Sequence, residues 1–207
     1  MRALVTGASR GIGAALVAEG ERRGHAVTGT RRDVPEPLDV TDAAAQAALA
    51  ERVGPLDLVV CNAGVYLDKG KGLADLSAED LARTFAANVT GVALTVQAQL
   101  RNLGEGGRIA IVSSAMGSQA NAPGGAYAYR ASKAAATNLG RNLAADLAPR
   151  GIAVGIYHPG WVRTDMGGDS AAVDAGDSAR GLWDRFEALD MGRTGAFETW
   201  DGHAVPL

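Results

Sequence analysis

Tyr129 and Lys133 stand four residues apart in the segment YAYRASKAA, residues 127–135. On a helix that spacing puts both side chains on one face. A phenol titrates at about 10 unaided. An ammonium beside it favours the phenolate and lowers that value. A tyrosine tuned in this way gives or takes a proton at an alcohol or carbonyl oxygen. Tyr127 has Ala131 at the same offset and is the poorer candidate. Upstream, a strand-like run ends in Ser113-Ser114. Asn88 falls on the apolar face of a helical segment, seven residues after Leu81 and four before Val92. A buried amide needs partners. Asn88 is therefore either a structural hydrogen-bonding residue or the holder of a water near the reacting groups.

A second set of residues suits an anion. Thr6 to Gly13 read TGASRGIG, with glycines at 7, 11 and 13 between a strand-like run and a helical one. Such a turn lets a phosphate approach the helix N-terminus, where free N–H groups and the helix dipole attract negative charge. After the next strand-like run comes Thr30-Arg31-Arg32. An acid at this point would hold a ribose 2′-hydroxyl, as NAD requires. None stands at Thr30, two arginines follow, and Arg10 lies inside the glycine turn. Guanidinium forks match phosphate oxygens, which points to the 2′-phosphate of NADP, with NAD as the lesser option. CNAG, residues 61–64, follows the third run. Its Asn62 can bond backbone across strand ends, and Gly64 leaves room for a ligand.

These residues need a frame that gathers them. Strand-like runs at 3–7, 26–30, 56–61, 108–114, 152–158 and 195–200 are nearly continuous in hydrophobicity, and helical patterns lie at 11–23, 42–53, 77–102 and 126–148. Buried parallel strands look like this, and the alternation predicts an α/β fold with a parallel sheet. Ser77 is an expected N-cap, with Glu79 and Asp80 in the first turn. Ligands on such sheets bind beyond the carboxyl ends of the strands, which is where the glycine turn, Thr30-Arg31-Arg32, CNAG and Ser113-Ser114 lie. The chain of 207 residues, 47% apolar and without internal repeats, reads as one domain. A net charge of −3 gives no footprint for nucleic acid. No apolar stretch is long enough to span a bilayer. Met1 runs straight into the strand-like RALVTG, so no signal peptide is expected. A single cysteine, Cys61, fits a reducing cytoplasm. Asp165 and Asp169 have no second ligand cluster beside them, so no metal is expected. Met166, Trp183 and Phe186 either line an apolar pocket or pack a helix against the core. No histidine is assigned a role.

TGASRGIG, NAG, Asn88, SS, YRASK and HPGWVRTDM, in this order along nearly the whole chain, resemble the short-chain dehydrogenase/reductase family. SSAMGS, YAYRASKAA, HPGWVRTDMGG and the final WDGHAVPL are most similar to its C-factor and sniffer-like carbonyl reductase branch. The resemblance implies a single Rossmann-type domain, a doubly wound parallel sheet in three α/β/α layers. It implies an NADP-dependent oxidoreductase that moves hydride between a nicotinamide and a carbonyl or alcohol carbon of a small molecule. The alternative is a dinucleotide-binding regulatory or signalling protein with little turnover. The implied catalytic set is Asn88, Ser114, Tyr129 and Lys133. Tyr129 would be the acid/base, Lys133 would hold the nicotinamide ribose and lower the tyrosine pKa, Ser114 would bond the substrate oxygen, and Asn88 would anchor a relay water. The implied cofactor set is Gly7, Ser9, Arg10, Gly11, Ile12, Gly13, Arg31, Asp39, Val40, Asn62, Ala63, Gly64, Tyr129, Lys133, Pro159, Gly160, Val162 and Thr164. A homodimer or homotetramer is also implied, paired through the helices at 77–102 and 126–148, with Ala134, Ala135, Ala136 and Ala144 allowing close approach. The sequence departs from the family pattern at four places. Cys61 stands where Asn is frequent, Ser113 and Ser114 compete for one position, and the segments at 31–39 and after Gly160 are short.

Overall fold

A computed structural model describes residues 1–31 and 38–207. Its centre is one sheet of β1 (Arg2–Val5), β2 (Ala26–Gly29), β3 (Leu56–Cys61), β4 (Leu103–Val112), β5 (Ala153–His158) and β6 (Phe197–Thr199). The strand order is β2-β1-β3-β4-β5-β6, and every pairing is parallel. The chain runs outward from β1 to β2 and then crosses back to place β3 on the other side of β1. That reversal is the switch point of a Rossmann-type sheet. After β2, Leu38 N donates to Arg31 O at 2.9 Å. Arg32, weighed above for the 2′-phosphate, lies outside the described residues.

Successive strand residues point to opposite faces, so the sheet has two cores. Leu4, Val59, Ile109, Ile111 and Val154 meet α2 (Ala43–Val53), α4 (Gly91–Gln99) and α5 (Tyr127–Leu147) on one side. Val5, Leu58, Val60, Ala110 and Val112 meet α1 (Gly11–Arg22) and α6 (Ala175–Ala188) on the other. Trp183 and Phe186 of α6 are fully buried in this second core, so the packing reading holds for both. Gly20 of α1 has its reason here, because a Cβ on it would press into the Trp183 ring. Met166 is 40% exposed and belongs to neither core. Among the described residues no helix is long and apolar enough to cross a membrane.

The helix expected over 77–102 is divided. Ser77 caps α3 (Ala78–Phe85), its side chain accepting from Asp80 N, while Asp80 bonds back to the cap. A π-turn, Ala86–Thr90, then joins α3 to α4. The wider turn rotates the faces of the two segments relative to each other. A uniform 3.6-residue period therefore misplaces Leu81, which is 38% exposed, while Asn88 inside the π-turn is buried. In α5, Ala136 and Ala144 are buried against the core, which removes them from the small-residue contact expected between subunits.

Candidate active site

The turn between β1 and α1 is built for close approach. Gly7 has φ +69°, and a Cβ there would stand 2.7 Å from the Ala63 Cα. A Cβ on Gly13 would land on the Gly7 carbonyl oxygen and 2.6 Å from Asn62 Nδ2. Asn62 staples this turn to the end of β3, donating to Thr6 O at 2.9 Å and Gly7 O at 3.2 Å. Thr6 Oγ1 accepts in return from the N–H groups of Asn62 and Ala63, both at 3.1 Å. The start of α1 has no side-chain cap and no acid in its first turn. Its free N–H groups and dipole face the cleft and suit an anion. Thr164, on the loop after β5, stands opposite, its methyl carbon 3.2 Å from a Cβ built on Gly11.

The cleft has a volume of about 600 Å³ and runs along the carboxyl ends of the strands. Of the residues assigned to the cofactor, it is lined by Gly7, Ser9, Arg10, Gly11, Ile12, Gly13, Arg31, Asp39, Val40, Asn62, Ala63, Gly64, Tyr129, Lys133, Pro159 and Thr164. Gly160 and Val162 do not line it. Val162 is buried behind the wall, bridged to Val173, and Gly160 turns against Val173 and Trp200. Arg10 reaches across the mouth to Asp165 at 2.9 Å, with both side chains about three-quarters exposed. Asp39 accepts from Thr41 N at 2.9 Å and Thr41 Oγ1 at 2.8 Å. Met166 lines the cleft, as one of its two readings has it, while sequence reasoning missed Val65, Leu67, Ala86, Ala87 and Asp165 as lining residues. They sit on loops and on the π-turn, where no periodicity marks them.

At the inner end α5 presents Tyr129 and Lys133 side by side. Lys133 Nζ lies 5.7 Å from the Tyr129 ring centroid and donates to Val112 O at 2.9 Å. Tyr129 is buried, whereas Tyr127 is 40% exposed and outside the cleft. The two serines separate cleanly. Ser113 Oγ is engaged with Lys133 O and Thr137 Oγ1, both at 2.9 Å. Ser114 faces the phenol, and its hydrogen bond favours the ionised form. Asn88 does not line the cleft. Its Oδ1 accepts from Val65 N at 2.8 Å, and its Nδ2 donates to Val65 O at 2.9 Å and Ser132 Oγ at 2.9 Å. Both Nδ2 hydrogens and one Oδ1 lone pair are thus engaged by protein, a geometry in keeping with the structural hydrogen-bonding reading.

The Tyr129 pKa moves upward on balance in this geometry, against the lowering by Lys133 that the resemblance implies. Burial pushes the phenol up to about 12, against the Ser114 hydrogen bond. Burial also pushes Lys133 down to about 8. Withdrawal from water works against the charged form of each group, and it is the largest cause of both shifts. Tyr129 thus stands as a protonated phenol at neutral pH, ready to donate. Cys61, at the end of β3, is likewise pushed up to about 12 by burial.

The short chain dehydrogenase family model matches residues 21–174. C-signal of Myxococcus xanthus is 43% identical over 156 residues, 74% of this chain and 93% of that protein. Among solved structures, a short chain dehydrogenase from Burkholderia cenocepacia in complex with NADP superposes with a TM-score of 0.85 at 34% identity, over 98% of this chain and 96% of that one. The NADPH-bound carbonyl reductase from chicken fatty liver superposes with a TM-score of 0.91 at 28% identity, over 100% and 98%.

Proposed function

Because the chain belongs to the short-chain dehydrogenase family, we propose that its cleft binds NADP(H) and carries hydride between the nicotinamide and a carbonyl or alcohol carbon of a small molecule. The observation that carries this reading is the pairing of an anion-ready glycine turn with the buried Tyr129–Lys133 pair in one cleft, with Ser114, which does not itself line the cleft, hydrogen-bonded to the phenol. The cofactor fits the residues present. Its pyrophosphate suits the uncapped start of α1, where side chains on Gly7 and Gly13 would collide with the wall. Arg10 and Arg31 would take the 2′-phosphate, and Lys133 would take the nicotinamide ribose. When bound, the nicotinamide supplies or accepts the hydride. Tyr129 gives its proton to the developing alkoxide, and Ser114 holds that oxygen in place. Asn88 acts indirectly, fixing Val65 and through it the wall of the cleft.

Monitoring NADPH oxidation over a panel of aldehydes and ketones tests this reading. The similarity to C-signal supports a second one, a dinucleotide-binding signalling protein with little turnover. NADPH binding without oxidation of any carbonyl would favour it. The buried single thiol agrees with a cytoplasmic location. The exposed Leu81 agrees with a dimer or tetramer through α3, α4 and α5. Light scattering at micromolar concentration is expected to give at least twice the chain mass, and a monomer would overturn that.

NADP(H) is expected to bind more tightly than NAD(H). Arg10 is engaged by Asp165 across an exposed gap, and such surface pairs contribute only about 0–1 kcal/mol. A phosphate displaces that partner at small cost. Charge-assisted hydrogen bonds contribute about 1.5–3 kcal/mol, or roughly tenfold to a hundredfold in affinity. Titrating both cofactors by fluorescence measures the ratio, and equal dissociation constants would sink the assignment. Arg10→Ala should shrink the ratio by weakening NADP(H) alone.

The raised Tyr129 pKa fixes the sign of the pH dependence. Alcohol oxidation needs the phenolate, which is scarce until pH approaches about 12. Its rate should climb continuously between about pH 7 and 10, by up to tenfold per unit. Carbonyl reduction needs the protonated phenol and should not climb. Paired pH profiles of kcat decide this, and an oxidation rate that levels off near neutrality would contradict it.

A further inference from the structure

Helix α5 carries Tyr129, yet it begins without a cap of its own. Ala126, at the N-cap position, has φ 50° and ψ 43° and no side-chain oxygen to serve the free N–H groups. Non-glycine residues seldom adopt that left-handed conformation. The acceptor comes instead from the loop after β3. Asp68 Oδ2 accepts from Ala128 N at 2.8 Å, and Oδ1 accepts from Tyr129 N at 3.3 Å. These are the second and third helical positions, the pair that an N-cap side chain ordinarily serves. Asp68 is 1% exposed, and the rest of the cluster described above makes no use of it.

The same loop holds Tyr129 in a second way. Tyr66 stacks on the Tyr129 ring, with centroids 4.3 Å apart and planes at 22°. Val65, one residue earlier, is held in both directions by Asn88. Val65 and Leu67 face the cleft. Four consecutive residues thus touch the cleft wall, the Tyr129 ring and the Tyr129 backbone.

We propose that Asp68 is a positioning residue for Tyr129, its carboxylate capping α5 from the β3–α3 loop and so fixing where the phenol stands in the cleft. This rests on reading Tyr129 as the proton donor. The effect lies in geometry rather than charge. A misplacement of about 1 Å near reacting groups is enough to lower a rate roughly a hundredfold.

The test compares wild type with Asp68→Ala, Asp68→Asn and Asp68→Glu. Asn keeps one acceptor oxygen, enough for the shorter bond from Ala128 N, and loses the charge and the weaker second bond. Glu keeps the charge and moves it by a methylene. Expected results are a kcat loss of about thirtyfold for Ala and about tenfold for Glu, a loss under about fivefold for Asn, and NADPH affinity and carbonyl KM within about threefold throughout. If Ala fails to fold, the Asn and Glu variants decide. A normal kcat in Glu with a loss in Asn would assign the effect to charge and overturn the proposal. A loss carried by NADPH affinity alone would also overturn it. A fluorotyrosine-labelled protein supplies a readout independent of turnover, with the Tyr129 line assigned through Tyr129→Phe. That line should shift in Glu and return in Asn. Were wild type to reduce no carbonyl, the enzymatic reading would fall by itself. An unmoved Tyr129 line in Glu would then overturn the positioning separately.

Discussion

Tyr129→Phe is expected to lose carbonyl reduction by between about a hundredfold and ten-thousandfold, the range of positioned acid–base groups. NADPH affinity should stay nearly intact, because the ring that packs on Tyr66 is retained and only the hydroxyl is lost. Tyr127→Phe is the internal control. Its side chain is 40% exposed and outside the cleft, so the change should be mild. Steady-state rates and cofactor titrations on the two variants settle the matter. Equal losses would move the chemistry away from Tyr129.

Trp183→Ala should give the largest loss of stability. Trp183 is fully buried, packs edge-on to Phe186 with centroids 5.7 Å apart, and donates to Leu16 O at 2.8 Å. Removing a buried tryptophan ring costs about 3–5 kcal/mol. At this chain length that lowers the thermal midpoint by roughly 10 °C. The ring lies between α6 and α1 and packs over Gly20. Its loss should therefore also loosen the support behind the glycine turn. Met191→Ala, at an exposed position, should move the midpoint by no more than about 1–2 °C. Calorimetric scans of both variants compare them, and a Trp183→Ala midpoint equal to wild type would place the ring outside the core.

Much of the site was legible because strand ends carry their own markers. TGASRGIG, CNAG and Ser113-Ser114 each follow a continuous apolar run, and parallel topology brings such ends together whatever the intervening lengths. Tyr129 and Lys133 were legible because four residues on a helix is a local distance. What depended on long-range packing was not. The sign of the Tyr129 shift turned on burial, which no spacing reveals. The π-turn at Ala86–Thr90 breaks the period by which faces are read, so Leu81 was misplaced. Asp68 lay in an unremarkable loop, and its partner N–H groups are sixty residues away. Gly160 and Val162 follow the right strand, but the backbone there turns behind the wall. Two of the alanines expected between subunits proved to be core residues, since a small side chain suits either surface.

Cys61 turns the centre of the sheet into a clock. It is the chain's single thiol, buried at the carboxyl end of β3 and held protonated. Thiol reagents attack the thiolate and need access to it. In the closed protein both conditions fail, so modification proceeds through moments when β3 parts from its neighbours. The labelling rate then counts those openings one molecule at a time, as amide exchange does for the backbone. Asn62, the staple of the glycine turn, directly follows β3. A ligand settling on that turn should slow the clock by the factor that linked binding dictates, so cofactor occupancy can be read from a residue that never touches the cofactor.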